Sequence, residues 1–199
     1  MVDAHARWLV ASSAIALVAV ASFVLLPPRA PFAARLAGLP DRWRALFLLV
    51  LATQAGHVGE YVAQMIQLHV LSLPATQSRG ILGQFDLEWV HFGWSLYILA
   101  ASAVLLRRFP WNRWLALTVF LAVWHELEHA TILTAYLQTG VIGAPGLVAR
   151  GGLLAGGLPI ARADLHFLYN AMISAPLLLA FRAETLRRVR AVAFSWGTA

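Results

Sequence analysis

The chain contains no cysteine and no lysine, and only 12% of its 199 residues are charged. Without cysteine there is no disulfide, no iron–sulfur cluster and no thiolate-bound zinc. A soluble globular domain is about 25% charged and about 45–50% apolar. Here 60% of the residues are hydrophobic and the mean hydropathy is +0.72. That balance excludes a water-soluble enzyme, a disordered chain and a nucleic-acid binder. The formal charge of +6, set by fifteen arginines, would point to a polyanion partner in a soluble protein. Its distribution reads instead as membrane topology.

Crossing about 30 Å of hydrocarbon takes about 20 apolar residues. Five stretches qualify, at residues 8–26, 43–71, 81–106, 114–138 and 163–181. The expectation is all-α: one domain over residues 1–199, an integral membrane bundle of about five transmembrane helices. The first stretch is read as a span rather than a signal peptide, because its apolar run is long and ends in Pro27-Pro28. Eleven arginines fall in the first connection, the third connection and the tail, among them Arg42, Arg44, Arg107, Arg108, Arg113 and Arg182. Four fall on the other side: Arg7, Arg79, Arg150 and Arg162. The positive-inside rule then puts the N-terminus outside and the C-terminus in the cytoplasm, with the chain a multi-pass protein of the cell membrane. Trp43, Trp111 and Trp114 fall where the inner interface belongs. The Gly-rich connection 140–162 lies outside and reads as a lid, a re-entrant segment or a plain external loop.

Ionisable residues inside the apolar stretches carry the functional signal. The second holds His57, Glu60 and Gln64, the third Glu88 and His91, the fourth His125, Glu126, Glu128 and His129, and the fifth Asp164, His166 and Asn170. Four glutamates immersed and ionised would cost roughly 10–14 kcal/mol, so something must offset them. At about 100° per residue, Glu88, His91 and Ser95 share one helix face. His125, Glu126 and His129 lie within about 100° of one another. Counted at about 1.5 Å per residue, the clusters of the middle spans meet at one depth, in the outer half of the membrane. Asp164 points away from His166 and is expected to be the N-cap of the last span.

His125-Glu126-Leu127-Glu128-His129 is a strict H-E-x-x-H. Two histidines at i and i+4 hold one zinc, with the glutamate as general base. The motif resembles that of zinc metalloproteases, including the intramembrane kind, and the resemblance implies a metallohydrolase. The Asn-Pro-Asp-Gly and Leu-Asp-Gly elements that supply a third ligand in the site-2 type are absent; Asp164 and His166 are the candidates to replace them. Glu88-Trp89-Val90-His91 and Glu126-Leu127-Glu128-His129 are also two E-x-x-H pairs. They resemble di-iron carboxylate proteins, which implies Glu88/His91 and Glu126/His129 as ligand pairs with Glu60 as a lone glutamate. Here the two pairs fall on successive spans, where that family separates them by a further helix.

One catalytic zinc needs three protein ligands. The converging set offers Glu60, Glu88, Glu126, His57, His91, His125 and His129, with His166 beside them, and that surplus favours two metals. The leading expectation is therefore a non-haem di-metal oxidoreductase. It would hold two transition-metal ions, iron foremost, and act on a lipid, hydrocarbon or quinone with a membrane electron donor. Glu126 would be both ligand and catalytic residue. Glu128, Gln64, Asn170 and Asp164 would support the ligands, with Tyr61 and Tyr169 as further hydrogen-bond partners. The alternatives are a one-zinc metallohydrolase built on His125, Glu126 and His129, and a proton or metal-ion transporter.

Overall fold

The computed structural model describes residues 41–83 and 87–196, with side chains described for 42–83 and 87–187. Helix α1 runs Asp41–Met65 and closes in a π-helical turn, Ile66–Val70. Three more follow: α2 Glu88–Arg108, α3 Arg113–Thr139 and α4 Arg162–Trp196. Among the described residues the architecture is all-helical, with no β-strand. The expected span at 8–26 lies outside the described residues, as do Gln84 and Asp86.

The boundaries follow local chemistry. Asn112 caps α3: its Oδ1 accepts from the N–H groups of Trp114 and Leu115 at 3.2 and 3.3 Å. The same helix ends at Gly140, in the left-handed region at φ 69°, with its N–H on the Tyr136 carbonyl at 2.7 Å. In the third stretch the helix is described from Glu88, and residues 81–83, where its hydropathy starts the span, are not helical. Gly80 and Gly83, at φ 77° and 61°, hold the preceding apolar pair Ile81-Leu82 in a loop. Asp164 is not the N-cap: α4 begins two residues earlier, and the Asp164 carboxylate accepts from His69 Nε2 at 2.6 Å instead. That helix also runs past the expected end at 181.

The four helices form a bundle in which α1 packs on α2 and α4, and α3 packs on α2 and α4. One end is apolar. Phe47, Leu105, Phe109, Leu115, Leu177 and Phe181 are fully buried there, with Phe47 5.8 Å from Phe109 and 5.5 Å from Phe181. Asn112 Nδ2 fastens the short turn at that end to the Ala180 carbonyl at 2.9 Å. The guanidinium of Arg108 sits 5.8 Å from the Trp43 ring and that of Arg113 5.1 Å from Trp114, the pairing expected at a membrane interface.

The other end carries the two long loops. Among the described residues, three helical segments are long and apolar enough to cross a membrane: Arg42–Val70, Glu88–Arg108 and Arg162–Arg187. α3 has the length, at 27 residues, but its His-Glu-Leu-Glu-His centre keeps it out of that group. Outward-facing Phe120 and Leu127 nonetheless give it an apolar outer surface. The loop 140–161 is folded on itself: Leu158 N–H bonds the Val148 carbonyl at 2.8 Å and Arg150 N–H the Ile160 carbonyl at 2.9 Å.

Candidate metal centre

Five histidines converge inside the bundle just below the loop end, and all four helices contribute. His57 comes from α1, His91 from α2, His125 and His129 from α3 and His166 from α4, each no more than 6% exposed. Their rings touch in sequence: His57 to His91 at 5.5 Å between centroids, His91 to His129 at 5.6 Å, His129 to His166 at 4.8 Å. Tyr61 closes the ring, 5.1 Å from His57 and 6.5 Å from His166.

The tightest part is His125, His129 and His166, whose ligand nitrogens all lie within 4.8 Å of one another. His125 and His129 are one helical turn apart, and their Nε2 atoms stand 3.1 Å from each other. Two nitrogens on one tetrahedral zinc at about 2.0–2.1 Å would be separated by about 3.4 Å. The pair is thus already close to ligating geometry, with a His166 nitrogen within 4.8 Å of both. His166 Nδ1–H donates to the Arg162 carbonyl at 2.9 Å, which leaves the Nε2 lone pair free. That Nε2 is buried without a hydrogen-bond partner, as are the Nδ1 atoms of His57, His91 and His129. Of these four atoms only His166 Nε2 belongs with the His125–His129 Nε2 pair; a buried ring nitrogen left unpaired there calls for a bound group.

Among the described carboxylates, Glu126 alone has both oxygens buried without a well-formed hydrogen bond. The polar group facing it is the Ser95 hydroxyl, which also stands 3.4 Å from His125 Nδ1. Glu88 and Glu60 do not join the histidines. Glu88 is clasped by both terminal nitrogens of Arg162, one at 2.7 Å, and accepts from Gly143 N–H at 2.9 Å. Glu60 accepts from Ile81 N–H at 2.6 Å and from Leu82 N–H at 3.1 Å. Glu128 accepts from Val148 N–H at 3.4 Å. Three of the four glutamates thus tie the loops to the helices. Backbone N–H groups and one arginine supply the offset that their burial requires.

The remaining polar residues buttress this arrangement. Gln64 donates to the Ser78 carbonyl at 2.8 Å, and Gln67 both donates to and accepts from Gly80 at 2.9 Å. On the apolar side, Gln54 donates to Asn170 Oδ1 at 3.0 Å and to Ser174 at 3.2 Å, while Asn170 Nδ2 reaches the His166 carbonyl at 2.9 Å. Tyr169 accepts from Trp124 Nε1 at 2.9 Å, and Trp94 stacks on His57 at 5.3 Å.

Sequence reasoning used Arg162 only for topology and passed over Trp94. The signal for Arg162 was its position four residues before His166, one helical turn away on the same face. Comparison with family models, curated proteins and solved structures finds no match to the chain.

Proposed function

We propose that the chain is an integral membrane metallohydrolase in which His125, His129 and His166 hold one zinc ion and Glu126 is the general base. The carrying observation is the geometry of these three histidines: an i, i+4 pair with Nε2 atoms 3.1 Å apart and a third lone pair left free on the facing helix. Three histidines with a fourth position open to water is the donor set of a catalytic zinc rather than a structural one. Zinc held there would supply a Lewis acid and a bound water of lowered pKa. Glu126 would serve as the base: it would take a proton from the attacking water as the water oxygen adds to the carbonyl carbon of an ester or amide, and pass that proton to the leaving oxygen or nitrogen as its bond to carbon breaks.

The carboxylate-bridged di-metal reading needed Glu60 and Glu88 as ligands, and both are engaged with loops and Arg162. One observation keeps a second metal in view: His57 and His91 also leave Nδ1 unpartnered beside the triad. We further propose that residues 8–26 form a fifth span, that the N-terminus and the loop end face outside, and that the site lies in the outer half of the membrane. The arginine asymmetry supports this orientation.

Elemental analysis of purified protein together with Glu126→Gln tests the assignment. One zinc per chain in both proteins, with ester hydrolysis abolished in the variant, is the expected outcome. Two irons per chain, or loss of metal from Glu126→Gln, would return the site to the di-metal oxidoreductase.

A further inference from the structure

A cavity of about 330 Å³ runs from the loop end of the bundle to His91 and His166. Its wall is Tyr61 and Leu68 on the α1 side, Ile142 on the second loop, and Ala163 with Arg162 at the start of α4. It reaches a histidine whose Nε2 is unpartnered, so whatever enters meets the proposed metal ligand directly. The geometry points to this cavity as the substrate chamber, and to the substrate as a small neutral ester or amide of about ten to fifteen non-hydrogen atoms, entering from the loop end. The choice of ester or amide rests on the hydrolase reading; the size, neutrality and route do not.

Size comes from volume. The volume stands at the lower limit of ligand pockets, which suits one small organic molecule. Neutrality comes from the wall. Arg162 is its only charged side chain among the described residues, and Glu88, 1% exposed, already neutralises it. A charged substrate would sit against apolar side chains without a counter-ion and lose its water. The route comes from the lining: residues 75–76 and 142–143 of the two loops edge the cavity at one end and the histidines lie at the other. The apolar core beneath the site contributes nothing to it.

The absence of native cysteine makes the test clean. Ala163→Cys and, as a second position, Leu68→Cys put single thiols on the chamber wall. Leu153→Cys, on an exposed loop residue, serves as reference. Each is reacted in membranes with N-ethylmaleimide, with the anionic 2-sulfonatoethyl methanethiosulfonate and with fluorescein maleimide. The wall thiols should react with N-ethylmaleimide an order of magnitude faster, relative to the reference position, than with the other two. Equal relative reaction with the sulfonate would overturn neutrality, equal reaction with fluorescein maleimide would overturn the size limit, and no reaction at either wall position would overturn access. In parallel, wild type should cleave p-nitrophenyl butyrate and not p-nitrophenyl palmitate. Ala163→Leu should lower the rate on butyrate relative to acetate with zinc content unchanged. Failure of every ester with selective wall labelling intact sinks the hydrolase and leaves the chamber. Cleavage of short esters without selective labelling, or cleavage of palmitate as fast as butyrate, sinks the chamber and leaves the hydrolase.

Discussion

Replacing Glu88 by glutamine separates the two roles open to this carboxylate. In the structure it is a clamp: bidentate on Arg162 and bonded to Gly143 N–H, with its side chain 1% exposed against 20% for Arg162. Removing one partner of a buried ion pair costs about 3–5 kcal/mol because the other charge is stranded. Glutamine keeps an oxygen for Gly143, and Arg162 can recover some hydration through its exposed part, so a loss of about 2–3 kcal/mol is expected. Adding Arg162→Met removes the stranded charge while keeping the backbone carbonyl that orients His166. The double variant should return to within about 1 kcal/mol of wild type, a coupling within the usual range for contacting residues. The assay is denaturant unfolding in detergent followed by circular dichroism, with zinc measured on the same samples. Zinc should be unchanged in all three proteins. If Glu88→Gln sheds metal while its unfolding midpoint stays in place, Glu88 is a ligand and the clamp reasoning is wrong.

His166→Ala should abolish zinc binding with helical content retained; elemental analysis with metal still present would place the third ligand elsewhere. Gly146→Ala should destabilise by at least about 1–2 kcal/mol in the same unfolding assay, because the residue sits at φ 76° and a Cβ there would strike the Glu128 carboxylate. Gly56→Ala, with open space around the added carbon, should be neutral or stabilising by up to about 1 kcal/mol. A reporter fused after Ala199 should be active only on the cytoplasmic side; activity outside the cell would invert the proposed topology.

Helical periodicity made the histidine cluster legible. His125 and His129 share a face by spacing alone, and opposing depth counts brought His57 and His91 to their level; the same count left His166 about 10 Å shallower, whereas its ring lies 4.8 Å from that of His129. The roles of the glutamates were not legible. A carboxylate in an apolar helix announces that it needs a partner, but not which one. Here the partners of Glu60 and Glu128 are backbone N–H groups of loops, at Ile81, Leu82 and Val148, and every residue type carries that group. Glu88 was different, since its partner Arg162 is a side chain that the sequence displays. The start of α2 was hidden for a related reason. Ile81-Leu82 is apolar enough for a span, and its non-helical state depends on Gly80, Gly83 and the distant Glu60 carboxylate.

The position of the site bears on the chemistry as much as its ligands do. An oxidoreductase needs an electron source, and the end of the bundle facing the arginine-rich side is separated from the histidines by a polar ladder that stops at Ser174. Past it lies a core of Phe47, Ile173, Leu177 and Phe181. A proton or ion carrier needs a polar path on both sides of its binding residues; among the described residues that apolar core stands on one side, with only scattered buried groups such as Ser102 and Thr118 around it. Hydrolysis needs neither. Its co-reactant is water, which the loop-end cavity admits to His91 and His166 directly. Under the proposed hydrolysis the fastening of both loops by Glu60, Glu88 and Glu128 has a chemical reason: it holds the entrance at fixed dimensions while the histidines stay buried. Among the described residues the cavity reaches the histidines from the loop end, which suits a reaction whose reactants all come from that one side.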